Sequence, residues 1–291
     1  MSDTIIAGGT TYTGVPNIKA TDSNDNTLTF IRPSGTKSIS QNGTGIDVTE
    51  YAAVDVNVSG GSVDWDGLVN GTWPTGVVTL SSSVTSIPIR KFDGFTGITG
   101  ISAPGVTVVN DYAFENCKAL TSIDLPEAIE LKTFAFSGTN ALEVAHFPKV
   151  TTLGTYMFQK ATAATTALTV VLPAVTTLNT DVFRACKCAA VDLGPGLSQI
   201  RTRDFYGTNV AHFCNAIILR KTASIVTLES TTNTITFSGM TPVVYVPSAL
   251  KSTYENDASW ATLISNNKVT LATIEGSQYE THYADGTAIP T

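Results

Sequence analysis

The sequence predicts a mainly β protein. Its body is a right-handed parallel solenoid of about six to eight turns of ~22 residues, with a small β-rich N-terminal module and a short helical C-terminal cap. Phenylalanine recurs at Phe92, Phe114, Phe136, Phe158, Phe183 and Phe205, with gaps of 22, 22, 22, 25 and 22 residues. Aliphatic and proline columns keep the same beat. Only 14% of the 291 residues are charged, against roughly 25% in an ordinary soluble domain. Threonine occurs 46 times, and β-branched side chains favour extended backbone.

The columns locate the parts of each turn. Five residues before each Phe stands an aliphatic: Ile87, Val109, Leu131, Leu153, Leu178 and Ile200. Eight before it come Val84, Val106, Ala128, Val150, Val175 and Leu197. Ten before it, five turns carry Pro104, Pro126, Pro148, Pro173 and Pro195. Ahead of each proline lies an apolar–variable–apolar motif, as in Ile123-Asp124-Leu125, which reads as a strand with alternating faces. Proline ends it because it has no N–H for the ladder. In Val191-Asp192-Leu193 the motif is shifted by one residue, which implies a local adjustment before Pro195. The gap of 25 reflects the insertion ATAATTA at 161–167. One such unit cannot bury its own apolar side chains, so stacked turns must share a core. Parallel crossovers wind it right-handed.

The corner Ala113-Phe114-Glu115-Asn116-Cys117, followed by Leu120, Ile123, Leu125 and Pro126, resembles the BspA-type leucine-rich repeat. Val182-Phe183-Arg184-Ala185-Cys186 departs from that corner only at the alanine, whereas other turns lack the cysteine. The resemblance covers roughly 78–247 and implies a leucine-rich-repeat solenoid. Val243 to Tyr254, with Trp260 and Glu275, resembles a closing segment found after such repeats in prophage-encoded and gut Firmicutes proteins. Thr11 to Val15 and Ile39 to Val58 resemble modules of phage tail and minor structural proteins. Together these imply a protein of phage or prophage origin.

The flanks read as follows. A turn at Asp22–Asn26 before Thr27–Phe30 suggests a hairpin in residues 1–31, and Asn42-Gly43 suggests another within 36–58. Val54, Val56 and Val58 alternate with polar residues. The expected boundaries are 1–60 for the N-terminal attachment module, 61–77 for a linker and cap bearing Trp65 and Trp73, 78–247 for the solenoid, and 248–291 for the C-terminal cap and tail. Ser248 is the expected N-cap of a helix with Leu250 and Tyr254 on one face. Trp260, Leu263 and Ile264 would seal the last turn. The polar tail after Gly276 is read as an oligomer contact.

Several function classes are excluded or disfavoured. A net charge of −7 argues against nucleic-acid binding, which needs clustered Lys and Arg. No apolar run reaches the ~18 residues needed to span a bilayer. The start MSDTIIAGGTTYTG has neither the basic segment nor the apolar core of a signal peptide. No G-x-S-x-G, P-loop, G-x-G-x-x-G or H-E-x-x-H motif occurs, and no cofactor is expected. The sharpest candidate for a metal is Cys186-Lys187-Cys188 with His212-Phe213-Cys214, four soft ligands in two short pairs. Zinc would need all four. The first pair follows its Phe by three and five residues, the second by seven and nine. Stacked turns are therefore not expected to superpose them, and buried thiols are the simpler reading.

The outward strand column reads Ser102, Asp124, His146, Val171, Asp192, Ile218 and Tyr245. Asp124 and Asp192 lie three turns apart, roughly 14 Å, too far for the ~5–9.5 Å of a glycosidase pair. Asp124 and His146 are neighbours with no third orienting group, so no catalytic residue is assigned. A plain solvated face is one reading of the column; the other is a ligand surface of Asp124, His146, Val171, Asp192, Ile218 and Tyr245. Val171 and Ile218 are oddly apolar for water. The expected function is therefore that of a non-enzymatic virion structural protein, at a tail tip or fibre or as decoration. It would be made in the bacterial cytoplasm and bound to other virion proteins through residues 1–60. Its rod would adhere to a host or mucosal glycan or protein as a homo-oligomer. The alternatives are a bacterial cell-surface adhesin and, third, a carbohydrate-active tail enzyme.

Overall fold

The computed structural model describes residues 76–80, 82, 84–161, 167–201, 203–207, 213–229, 237 and 239–290, together with the backbone of seven strands between Thr4 and Asn57. The loop insertion after Ala161, the linker with Trp65 and Trp73, and His212 lie outside the described residues.

Each turn contributes one strand to a parallel wall. Gly76–Leu80, Ile98–Ser102 and Ser122–Asp124 pair in order. Val144–His146, Leu168–Leu172, Lys187–Leu193, Phe213–Leu219, Val243–Val246 and Thr270–Thr273 do the same. A second wall is built from two-residue strands, Ser86–Ile87 through Thr177–Leu178, also parallel and in register. The corner between the walls is hydrogen-bonded from turn to turn as well. The N–H groups of Phe92, Phe114, Phe136, Phe158 and Phe183 donate to carbonyls of the next turn at 2.8–3.2 Å. The shift before Pro195 comes from one extra residue, Gly194, which the register places opposite Pro173. A Cβ on Gly194 would fall 1.8 Å from the Pro173 carbonyl oxygen, so the backbones approach too closely there for any side chain.

The interior is the ladder the period predicts. Ring centroids along Phe92, Phe114, Phe136, Phe158, Phe183 and Phe205 are 5.0, 5.2, 6.3, 5.8 and 5.1 Å apart. These are ordinary separations for attractive aromatic pairs. Phe237 extends the ladder at 5.5 Å, and Trp260 closes it at 6.3 Å. The aliphatic columns from Ile87 to Ile200 and from Val84 to Leu197 are buried throughout. The gap of 32 residues between Phe205 and Phe237 hides the seventh rung from a search for a 22-residue beat.

A second ladder runs along the outside of the same corner. The residues two before each core Phe are Arg90, Tyr112, Phe134, Tyr156, Asp181 and Arg203, and all have φ between 55° and 64°. Left-handed backbone costs a non-glycine residue roughly 1–2 kcal/mol, so these side chains have to offset it. Arg90 lies 3.9 Å over the Tyr112 ring. Tyr112, Phe134 and Tyr156 stack at 5.0 and 4.7 Å. Further on, Arg203 donates to Asp181 at 2.8 Å, so charge replaces stacking.

At the N-terminal side, Thr27–Thr29 pairs antiparallel with Lys19–Thr21 and with Ala53–Asn57, and Lys37–Gln41 pairs with Thr44–Val48 across Asn42-Gly43. Ala53–Asn57 then pairs in parallel with Gly76–Leu80, so it adds one rung to the solenoid wall. At the other end the cap is two helices, α1 (Ser248–Asn256) and α2 (Ala258–Ser265). Ser248 is not the N-cap. Pro247 holds that position, and the Ser248 N–H donates to Glu275 instead at 2.8 Å. Asp257 caps α2 through Ser259 and Trp260. Tyr254, Trp260 and Leu263 are buried as expected, with Trp260 Nε1 donating to Val226 O and Val226 N to the Tyr254 hydroxyl, both at 2.8 Å.

Candidate functional site

Alternate residues of a strand point to opposite sides, so residues two apart form outward columns on the strand wall, and one of them is the column from Ser102 to Tyr245. Its register is the one read from sequence. Ser102 lies opposite Asp124, and His146, Val171, Asp192, Ile218 and Tyr245 follow one another across paired strands. The ladder is interrupted between Ser122–Asp124 and Val144–His146, which belong to separate sheets.

Most of the column is covered rather than solvated. Val171 and Ile218 are fully buried and Asp192 is 1% exposed. The cover is the tail of the same chain. After Thr273 the chain crosses back over the strand face and ends in a hairpin. There the Tyr283 N–H donates to the Thr287 carbonyl and the Ile289 N–H to that of Thr281. Ile274 and Tyr279 pack with Ala190, Ala216 and Ile218 in a small apolar cluster, joined by Tyr245 and Ala284. The segment expected as an oligomer contact thus lies on its own chain, and it accounts for the apolar Val171 and Ile218.

Arg220 anchors this arrangement. By register it occupies the place held in other turns by Pro104, Pro126, Pro148, Pro173 and Pro247. Its guanidinium grips Asp192 at 2.6 and 2.7 Å and donates to the Tyr279 and His282 carbonyls, each at 3.0 Å. The Tyr283 ring lies 5.2 Å away. Asp192 also accepts the Ala284 N–H at 3.0 Å. Burial pushes the Asp192 carboxyl up, and Arg220 and the Ala284 N–H pull against it. At the hairpin tip, Asp285 Oδ2 sits 2.7 Å from His146 Nδ1. Burial raises the Asp285 carboxyl, but Thr287 and His146 outweigh it and hold it below the usual value.

The six candidate ligand residues therefore divide. Asp192 and His146 engage the tail. Val171 and Ile218 lie beneath it, and Tyr245 packs edge-on against Tyr279 at 4.8 Å. Asp124 stays exposed and accepts the Ser102 hydroxyl at 2.9 Å. Arg220, Tyr279 and Tyr283 are side chains of this arrangement that the sequence reading missed. The break in the proline column at Arg220 was the available signal.

The cysteines correct one piece of spacing. Counting from the Phe corner placed the two pairs out of step, yet Cys188 lies directly opposite Cys214. The extra residues fall between Phe205 and the strand Phe213–Leu219, so the corner is the wrong origin for that turn. Cys186 Sγ and Cys188 Sγ are 3.0 Å apart. All four cysteines are buried free thiols. Burial pushes Cys186 and Cys188 well above the ordinary thiol value and Cys117 up to about 12. Among the described residues no cluster of His, Cys, Asp and Glu suited to a metal occurs, and no helix is long and apolar enough to cross a membrane.

Between the hairpin and the post-strand column lies a cavity of about 450 Å³, bordered by Pro173, Pro195, Arg220, Pro247, Glu280 and Tyr283 among others.

Comparison with known proteins bears on the repeats. No curated protein matches the chain. Solved structures similar to this chain include a leucine-rich repeat protein of T. pallidum, 19% identical, with a TM-score of 0.46 over 60% of this chain and 77% of that one. A leucine-rich repeat protein from Bacteroides ovatus is 15% identical, with a TM-score of 0.37 over 80% and 78%. A leucine rich cell surface protein from Faecalibacterium prausnitzii is 12% identical, with a TM-score of 0.38 over 94% and 98%. Residues 74–187 match the BspA type leucine rich repeat region in six copies. Over residues 74–187, about two fifths of its length, this chain is therefore similar to the BspA-type leucine-rich repeats.

Proposed function

We propose that this chain is a non-enzymatic, adhesin-like structural protein of a phage particle, attached through residues 1–60 and projecting its repeat rod toward a host or mucosal surface. The observation that carries the adhesive part is the unbroken aromatic spine from Phe92 to Trp260, with every successive ring pair between 5.0 and 6.3 Å. Such a spine makes a stiff spacer with an extended side surface, which is what solenoids use for recognition. Several copies on one particle would add weak contacts into avidity. The chemistry of the strand face agrees with this. Asp192, the most buried acid of the outward column, is neutralised by Arg220 instead of standing ready as an acid or base. The particle setting is supported by the resemblance of residues 11–15 and 39–58 to phage structural modules.

Two measurements test the reading. Full-length protein on beads should capture host or mucosal cells, and antibody fragments against the repeats should block capture while fragments against residues 1–60 should not. The reverse pattern would assign adhesion to the N-terminal module. Gold-labelled antibody should decorate phage particles from an induced lysate. Labelling of intact bacterial envelopes instead would establish the cell-surface adhesin.

A further inference from the structure

We propose that the cavity between the C-terminal hairpin and the post-strand column binds an uncharged sugar unit of a surface glycan; this rests on the adhesive reading above and gives it a site. At about 450 Å³ the cavity lies within the range of roughly 300–1,000 Å³ typical of small-molecule sites. Its walls come from separate parts of the chain. Pro173, Pro195 and Pro247 are delivered by different solenoid turns, and Ile274, Tyr283 and Ile289 by the tail. The three proline rings and the Tyr283 ring are rigid apolar surfaces that suit the C–H face of a pyranose, and the prolines lose little side-chain entropy on contact.

The polar groups decide the class of ligand. Glu275 and Glu280 line the same cavity. Glu275 accepts the Ser248 N–H at 2.8 Å and Glu280 the Gly276 N–H at 3.0 Å, so both carboxylates are oriented by backbone. Among the described residues neither is in an ion pair, while the nearby Arg220 is already neutralised by Asp192. The cavity thus presents hydrogen-bond acceptors beside an apolar wall. Vicinal hydroxyls above a C–H face supply the matching donors. Acidic sugars and phosphates meet two uncompensated negative charges and are disfavoured. A hydrocarbon chain would strip water from both carboxylates without replacing their hydrogen bonds. Bare cations gain little from carboxylates this exposed to water. Arg220 is a positioning residue here, since it fixes the hairpin that forms one wall.

The test uses the full chain on an array of neutral, sialylated and sulfated glycans together with a lysine-rich peptide. Two variants accompany it: Glu280→Gln, which keeps shape and removes an acceptor charge, and Ile289→Trp, which fills the cavity. Unchanged thermal melting shows that both variants fold. Retention of one or more neutral glycans, weakened about tenfold by Glu280→Gln and abolished by Ile289→Trp, is the expected result. Retention of acidic glycans or of the peptide in their place overturns the proposal, as does an array on which nothing is retained. Whole-cell capture separates the two levels. If the variants capture cells as well as the parent protein does, the site is wrong and the adhesive reading stands. If the parent protein captures none, the adhesive reading fails together with its site.

Discussion

The interior of the solenoid and the strand face beneath its tail are held by opposite strategies. Inside, seven phenylalanines and their aliphatic companions repeat one solution, and each ring stacks on the ring above and the ring below. Stability there is a sum of similar nearest-neighbour terms. Outside, the tail is seated by the Arg220–Asp192 ion pair, four further hydrogen bonds or ring contacts on the same groups, the His146–Asp285 contact and a small apolar cluster. None of these recurs in another turn. A periodic interior advertises itself in sequence, whereas a unique clamp is silent in sequence and depends on a few unrepeated residues.

The comparison predicts where the molecule is most sensitive. Phe136 is fully buried between Phe114 and Phe158 and touches Phe147 as well. Truncating it to alanine leaves a cavity in the middle of the spine, at a cost of about 3–5 kcal/mol. Urea unfolding should show this as a lower midpoint. A loss under 1 kcal/mol would mean the spine is not continuous in solution.

The clamp should come next. Arg220→Met leaves Asp192 buried without its partner, and breaking a buried pair on one side costs about 3 kcal/mol. The double variant Arg220→Met/Asp192→Leu should recover most of that loss, because replacing both members by apolar groups is often near neutral. The single variant should also release the tail, so limited proteolysis would cleave near residue 280 in Arg220→Met and not in the parent. Equal cleavage in both would show that the hairpin is held by its apolar cluster alone.

How much of this was legible follows from the same contrast. The Phe beat and the aliphatic columns gave the solenoid, and the register of the outward column from Ser102 to Tyr245 followed from it. Phe237 escaped because 32 residues separate it from Phe205. The burial of Val171 and Ile218 was visible only as an oddity, since what covers them lies far along the chain: His146 meets Asp285 across 139 residues. No period links such positions. Arg220 was missed because the proline column was followed only to Pro195. The error over Cys188 and Cys214 came from measuring across an irregular turn.

A third measurement separates burial from pairing. Asp204 is fully buried on the Phe205 corner and accepts the N–H groups of Arg201 and Val182. Burial pushes its carboxyl well above the usual value, against the pull of those N–H groups. With the folded pKa raised, the native state holds this proton more tightly than the unfolded chain does. The stability it contributes is full below the unfolded pKa near 3.8 and is lost as pH rises through the folded value. Asp204→Asn cannot ionise, so the stability difference between variant and parent should move in the variant's favour as pH rises from about 4. A difference that stays flat from pH 4 to 8 would show that the carboxyl titrates normally.

The smallest effect should come from the outer ladder, where strain and stacking nearly cancel. Phe134 stacks between Tyr112 and Tyr156 while holding a φ of 57°. Alanine in its place loses two ring contacts, worth about 0.5–1.5 kcal/mol each, and keeps the unfavourable backbone. Glycine loses the same contacts but relieves about 1 kcal/mol of left-handed strain, offset in part by the greater freedom it gives the unfolded chain. Phe134→Gly should therefore be no less stable than Phe134→Ala, and within about 2 kcal/mol of the parent. An alanine variant clearly more stable than the glycine one would mean that the corner imposes no strain. The aromatic column outside would then have to be explained by its contacts alone.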